Sequence, residues 1–277
     1  MLKASNQPAN SVQRPPAPEL HRLQAPRVAL ALKRVFTETF TVADIAEPLA
    51  SFDADARAED IRAFMMARDF DIVGIRLQGE VASIVQRELL EGGPCEQYMQ
   101  KMDEVPVREA NTPLLEVVTE LHRTPFLLIN VFGRVGGIVT RADLQKPPLR
   151  MWLFGLLTLI ELRFTELIEQ HCPGDRWKQF VSEARLQKAQ ALLAERSRRN
   201  QALQLLDCLQ FSDKGQIVAR NEEIRRLTVF RSRRQADEAI KDLEQLRNNL
   251  AHAQDILATD WETIIRLCEF ITAPDAA

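Results

Sequence analysis

Toward the C-terminal end of the chain, Leu246-Arg247-Asn248-Asn249-Leu250-Ala251-His252 brings a guanidinium, an amide and an imidazole into less than two helical turns. An imidazole exchanges protons near neutral pH, and a guanidinium stabilises negative charge developing on a phosphate. Residues on a helix advance by about 100° each, so Asn248 and His252, four apart, share a face. Arg247 falls about 140° round from His252; it reaches the same phosphate only by wrapping, or a second chain completes the set. The chemistry this suits is proton transfer and charge stabilisation at a phosphate. His252 is the proton donor or acceptor, Arg247 stabilises charge, and Asn248 orients the phosphate or the imidazole. Such a reaction needs no metal, and His21, His122, His171 and His252 show no ligand spacing with one another or with a cysteine.

A second group is Gly137-Ile138-Val139-Thr140-Arg141-Ala142-Asp143-Leu144, which reads as a strand running into a helix start. There the Thr140 hydroxyl and the first helical amides can hold a phosphate, and Asp143 can accept hydrogen bonds from ribose hydroxyls. Arg141, with Lys146 close behind, supplies positive charge. The same Thr and Asp are also plain helix caps. A third group lies within Arg220–Arg234, where Arg225, Arg226, Arg231, Arg233 and Arg234 join Arg220 against Glu222 and Glu223. It reads as a track for RNA phosphates or as a solvated helix face.

The elements that must position these groups differ between the two halves of the chain. Before Pro147-Pro148, β-branched runs at Ile72–Leu77, Val81–Val85, Phe126–Val131 and Gly136–Val139 alternate with helical patterns at Ala58–Arg68 and Pro113–His122. Turns are expected at Gln78-Gly79 and Gly133-Arg134. Residues 41–150 carry 12 basic and 18 acidic side chains, whereas 151–277 carry 18 and 19. After the proline pair, apolar residues recur at three and four: Leu153 to Ile168, Leu186 to Leu193, Ile240 to Leu250 and Trp261 to Phe270, an all-α bundle of four long helices. Ahead of everything, five prolines within residues 1–27 make a flexible tail.

Composition sets outer bounds. With 277 residues, 45% hydrophobic, 27% charged and a net charge of -3, the chain is one large or two ordinary soluble domains, without the excess of basic charge of a nucleic-acid coat. Cys95, Cys172, Cys208 and Cys268 are too scattered for a Cys-x-x-Cys pair, which points to a reducing cytoplasm. The most apolar run, Met151 to Ile160, ends at Glu161, about half of the roughly 20 residues that cross a bilayer.

Residues 41–146 also repeat internally: Ile84-Val85-Gln86-Arg87-Glu88-Leu89 aligns with Ile138-Val139-Thr140-Arg141-Ala142-Asp143, each preceded by a helix, a strand and a glycine turn. This duplicated α+β unit resembles a tandem pair of CBS domains, with Thr41-Val-Ala-Asp-Ile-Ala-Glu-Pro48 similar to the segment that opens such a module. The resemblance implies a nucleotide site between modules, with Thr140 at phosphate and Asp143 at ribose; Gln86 and Leu89 break the pattern in the first repeat, so one site per chain is expected. The helical part resembles HEPN domains through Arg247-Asn248-x-x-x-His252, which implies a metal-independent ribonuclease that pairs two chains at its active site. The expected organisation is a Pro-rich tail over 1–27, the CBS pair over 28–146 and the HEPN-like bundle over 150–273. The expected function is that of a cytoplasmic homodimer, free of membrane, in which an adenine or related nucleotide regulates cleavage of single-stranded RNA. The alternative is a noncatalytic nucleotide sensor whose helical surface recruits a protein or RNA.

Overall fold

The computed structural model describes residues 29–199, 201, 203–252 and 254–272; the tail expected over 1–27 lies outside them. The first half holds two four-stranded sheets. One is built from β2 (Ser51–Asp53), β3 (Ile72–Leu77), β4 (Glu80–Gln86) and β5 (Gln100–Lys101); the other from β1 (Glu47–Pro48), β8 (Arg134–Thr140), β7 (Phe126–Val131) and β6 (Val107–Glu109). Each repeat contributes a parallel pair, β2 with β3 or β6 with β7, around a helix, α1 (Ala58–Arg68) or α2 (Leu114–Leu121). An antiparallel hairpin follows, β3–β4 or β7–β8.

The edge strands are exchanged between repeats. β1, from the first repeat, pairs with β8 of the second, Glu47 opposite Ile138. β5, which opens the second, pairs with β4 of the first, Lys101 opposite Ser83. Thr41–Pro48 therefore completes the second repeat, and Val42 and Ile45 are buried in a core with α2, Leu127 and Ile129. Between the sheets, Leu49, Ile84, Val105, Phe126 and Leu128 form an apolar layer of their own.

The hairpin turns correct one expectation. The first lies at Gln78-Gly79, as read from the sequence, but the second is Phe132-Gly133, with Arg134 already in β8. Both central residues of such tight turns need positive φ, and Phe132 adopts 54° ahead of Gly133 at 83°. Its ring is wholly exposed.

Pro147 and Pro148 open a helix: α3 (Pro147–His171) begins on them, because a proline in the first turn forfeits no hydrogen bond. Around α3 stand α4 (Glu183–Arg198), α5 (Phe211–Arg220), α6 (Glu222–Arg226), α7 (Arg233–Ala251) and α8 (Leu257–Thr272). The helical core is continuous with that of the second repeat, running from Val42 and Leu144 through Trp152 and Phe164 to Leu246 and Cys268. The first repeat keeps a separate core, in which Ala58, Ile61 and Met65 meet Val73, Ile75 and Val85.

The periodicity missed α5, because polar residues interrupt it. Asp213 and Lys214 are buried there and paired outward, Lys214 with Glu161 at 3.0 Å and Asp213 with Arg185 at 3.5 Å. Gly215 lets α5 approach α7; a Cβ at that position would lie 2.6 Å from Ile240.

Residues 29–39 are helical and lie on α3, where Phe36 sits against Gly155 and its carbonyl accepts from Trp152 Nε1 at 2.6 Å. A Cβ on Gly155 would fall 2.0 Å from the Phe36 ring. Gly155→Ala should therefore push Phe36 off α3 and cost about 1–3 kcal/mol, the usual range for overpacking, read as a lower urea midpoint.

Candidate functional site

The Thr140–Asp143 stretch is built by the end of β8. Thr140 is the N-cap of the short 3-10 turn Arg141–Gln145, and Asp143 closes a capping box on it. The Thr140 amide and hydroxyl both donate to Asp143 Oδ2, at 2.7 and 3.1 Å. The other carboxylate oxygen, Oδ1, meets Lys146 Nζ at 2.7 Å. Lys146 also reaches Glu47 Oε1 at 2.8 Å and donates to the Ile45 carbonyl at 2.6 Å. Asp143 is only 7% exposed, so these donors replace the water it lost on burial. Burial pulls the Lys146 pKa down, but hydrogen bonds to Asp143 and Glu47 outweigh it and leave the pKa above the usual lysine value.

The site thus joins the second repeat's signature to the Thr41–Pro48 segment exchanged into it. Thr41 and Asp44 form a second capping box there, with the Thr41 amide donating to Asp44 Oδ2 at 2.8 Å. The sequence singled out Thr140 and Asp143; Glu47 and the Ile45 carbonyl were missed, because only the strand exchange brings them near. In the first repeat the corresponding Gln86 makes no cap hydrogen bond, and its amide donates to Gln100 at 3.0 Å.

Arg141 was expected beside phosphate. In the structure it donates from Nε to the Leu121 carbonyl at 2.7 Å and from Nη2 to that of His122 at 3.0 Å, closing the end of α2. Its guanidinium also lies 5.5 Å from the centre of the Trp261 ring. These contacts satisfy helix carbonyls that have no partner within the helix. Arg87, its counterpart, pairs with Asp69 and Asp71 beyond the end of α1.

The Arg247 motif occupies the last turn of α7. Arg247 is half-buried, Asn248 and His252 are exposed, and the His252 amide donates to the Asn248 carbonyl at 3.1 Å. Among the described residues, no hydrogen bond or ion pair reaches the Arg247 guanidinium, the Asn248 amide group or the His252 ring. Asn249, which the motif reading passed over, is committed to Asp260 at 2.8 Å. Catalytic imidazoles are normally oriented by a partner on the second ring nitrogen; none of the described residues supplies one at His252.

The end of α7 is tied to the first half. Arg150, in the first turn of α3, donates to the carbonyls of Asn249 at 2.8 Å, Leu250 at 3.2 Å and Gln254 at 2.9 Å. Gln145 bonds Asp255 and also accepts from Arg150. One stretch, 140–150, therefore holds the capped carboxylate at one end and the close of α7 at the other.

The arginines expected to follow RNA are distributed differently. Arg225 donates to the Ala219 carbonyl at 2.7 Å and closes α5. Arg226 pairs with Glu222, Arg233 with Asp237 at 3.6 Å and Arg234 with Glu238 at 3.6 Å. Arg231 is exposed, its backbone amide donating to Gln235. Arg226 is thus met by an acid one turn back, and Arg233 and Arg234 by acids one turn on. All four cysteines are buried thiols, and burial pushes that of Cys268 up to about 12. No helix among the described residues is long and apolar enough to cross a membrane.

No protein-family model matches the chain, and no curated protein matches it. Among solved structures, the N-terminal part is similar to an uncharacterized conserved protein from Pyrococcus horikoshii, at 21% identity over 39% of this chain and 90% of that one, with a TM-score of 0.35. A CBS domain-containing protein of unknown function from Bacillus anthracis is similar at 17% identity over 40% and 93%, TM-score 0.35. CBSX2, a CBS-pair protein from Arabidopsis thaliana, solved in complex with AMP, is similar at 16% identity over 40% and 98%, TM-score 0.36.

Lys146→Ala leaves the buried Asp143 carboxylate without its cation and should lower stability by about 1–3 kcal/mol in urea unfolding at neutral pH. Because the folded Lys146 pKa is raised, its contribution is present below the unfolded lysine value and fades as pH climbs through the folded one. The gap between wild type and variant should close at strongly alkaline pH.

Proposed function

We propose that this chain is a nucleotide-responsive regulator. Its first half, 28–146, is a CBS pair that takes an adenine or related nucleotide at Thr140 and Asp143, and its helical half, 150–273, is a HEPN-like bundle whose output is the exposed end of α7. The observation that carries the reading is the continuity of residues 140–150: Asp143 and Lys146 at the ligand end, Gln145 and Arg150 on the backbone of Asn249, Leu250 and Gln254 at the output end. A ligand that binds more tightly to one arrangement of this stretch shifts the population of the other end by the same free energy.

In that reading Lys146 occupies the ligand's ground. Its ammonium spans Asp143, Glu47 and the Ile45 carbonyl; a ribose on Asp143 displaces it from the carboxylate, and a phosphate nearby gives it a new partner. Lys146 immediately precedes α3, so its movement bears directly on the helix that carries Arg150.

For the output, the exposure of Asn248 and His252 beside an Arg247 with no partner among the described residues favours action on RNA. His252 would be the proton donor or acceptor, Arg247 would stabilise charge on the phosphate, and Asn248 would orient it. Since none of the described residues gives His252 an orienting group, the ribonuclease reading takes a homodimer in which a second chain completes the site. Arg231, with Arg225, Arg226, Arg233 and Arg234 nearby, is the proposed path for single-stranded RNA. Recruitment of a protein or RNA without cleavage is the reading that remains if a second chain does not supply that group.

The test measures ligand binding and output separately. AMP, ADP and ATP are titrated calorimetrically into the wild type, Asp143→Asn and Arg150→Gln, and hydrogen exchange is followed over residues 245–256. Binding to the wild type that weakens at least about tenfold in Asp143→Asn, the cost of one charge-assisted hydrogen bond, is expected; so is altered exchange at the end of α7, lost in Arg150→Gln while binding persists. No binding by any of the three nucleotides overturns the sensor, and binding without change at α7 overturns the coupling. Labelled single-stranded RNA in EDTA then decides the output: cleavage abolished by His252→Ala supports the ribonuclease, and intact RNA under every ligand overturns it.

A further inference from the structure

The Thr140–Asp143 site is richer in carboxylates than in positive charge, and the donors that its sequence offers to a phosphate are engaged elsewhere. The Thr140 amide and hydroxyl both turn onto Asp143 Oδ2. Arg141 closes the end of α2 on the Leu121 and His122 carbonyls, with its guanidinium over the Trp261 ring. Arg150 lies on the carbonyls at the end of α7. The turn Arg141–Gln145 is five residues of 3-10 helix, too short to build the macrodipole with which a long helix attracts an anion.

What remains is a triad of charges. The Lys146 ammonium lies 2.7 Å from Asp143 Oδ1 and 2.8 Å from Glu47 Oε1, so one cation holds two carboxylates together. These two carboxylates are the charged causes of its raised pKa, and no neighbouring cation among the described residues works against them. Glu47 arrives on Thr41–Pro48, the segment exchanged between the repeats, which holds two acids and no basic residue. Its side chain is 55% exposed, against 28% for Lys146 and 10% for Asp143, so it stands on the solvent side of the triad.

This arrangement discriminates by charge at the 5′ position of a ligand. A nucleoside whose ribose hydroxyls bond Asp143 adds no charge, and Lys146 stays with Glu47. A 5′-phosphate brings about two negative charges at neutral pH. It gains the lysine only by drawing it from Glu47, which then faces the anion without a cation of its own. Each further phosphate adds to that repulsion. A 5′-ammonium does the reverse, because it supplies a second cation to two carboxylates that share one.

We propose that Glu47 is the specificity-determining residue of this site, and that the ligand is an adenine nucleoside whose 5′ substituent is uncharged or cationic, in preference to a nucleoside polyphosphate. The inference rests on the nucleotide-sensor reading and narrows its ligand class.

Calorimetric titration of the full chain with 5′-amino-5′-deoxyadenosine, adenosine, AMP and ATP tests it. The first two should bind roughly fivefold or more tighter than AMP, the size of one partly exposed charge interaction, and ATP should bind most weakly. Glu47→Gln keeps the length of the side chain and leaves Lys146 on Asp143 and the Ile45 carbonyl, so its far-UV circular dichroism should match the wild type. In that variant the preference for adenosine over AMP should shrink to about twofold or less, the repelling charge being gone, while the affinity for adenosine itself holds. If none of the four compounds binds the wild type, the sensor reading fails and this inference with it. AMP or ATP binding more tightly than adenosine overturns this inference and leaves that reading in place. A preference for adenosine that persists in Glu47→Gln overturns the assignment to Glu47.

Discussion

A carboxylate that is almost wholly out of water has to be met by donors, and at Asp143 all of them come from within a few residues of chain. Thr140 supplies an amide and a hydroxyl, Lys146 an ammonium. Meeting that demand bends the chain from strand to 3-10 turn to the start of α3 without a spacer. It also draws Glu47 and the Ile45 carbonyl onto the same lysine, which pins the exchanged β1 strand beside β8. The direction in which α3 leaves the sheet, and hence where Arg150 falls, follows from how this one group is satisfied.

From that start α3 is surrounded. It is buried along most of its length, with Leu149, Trp152 and Leu153 in its first turns and Phe164, Leu167 and Ile168 toward its end, so the second repeat and the helices share one core. The first repeat has its own. The molecule is therefore asymmetric in a way its duplicated sequence conceals: one repeat is welded to the helical half by Arg141, Gln145, Arg150 and Trp261, while the other contacts its twin through the apolar layer of Leu49, Ile84 and Phe126. A signal starting in the second repeat meets rigid packing at once, and one starting in the first must cross a sheet interface.

Most of the elements were legible from period alone. Runs of β-branched residues marked β3, β4, β7 and β8, and three-four spacing marked α3, α4, α7 and α8. The repeat was legible because Ile-Val-x-Arg recurs at the end of each hairpin. What escaped has a common cause, in that it depends on partners distant in sequence. The short strands β1 and β5 carry no pattern of their own and exist only through pairing with the opposite repeat. Lys214 and Asp213 interrupt the apolar period of α5, and Glu161 and Arg185, distant in sequence, are what pair with them. Arg141 and Arg225 read as positive charge for a ligand, yet each closes a helix end, because unpaired carbonyls attract guanidinium groups as phosphates do. The Arg247 motif was found by spacing, but spacing does not reveal that its three side chains have no partners among the described residues.

The exchange of edge strands also bears on how the chain is made. Glu47 and Pro48 leave the ribosome early, but the strand they pair with ends at Thr140, so the first repeat emerges with a segment that has nowhere to bind until nearly all of the second has followed. The first sheet in turn lacks its outer edge until Gln100 and Lys101 arrive. Neither repeat is a self-sufficient folding unit, and closing the long loop between β1 and β8 carries an entropic cost that delays completion of the second sheet. A duplication wired in this way is locked in inheritance as well: deleting either copy would leave the survivor with an unpaired edge and with a foreign strand that has lost its host.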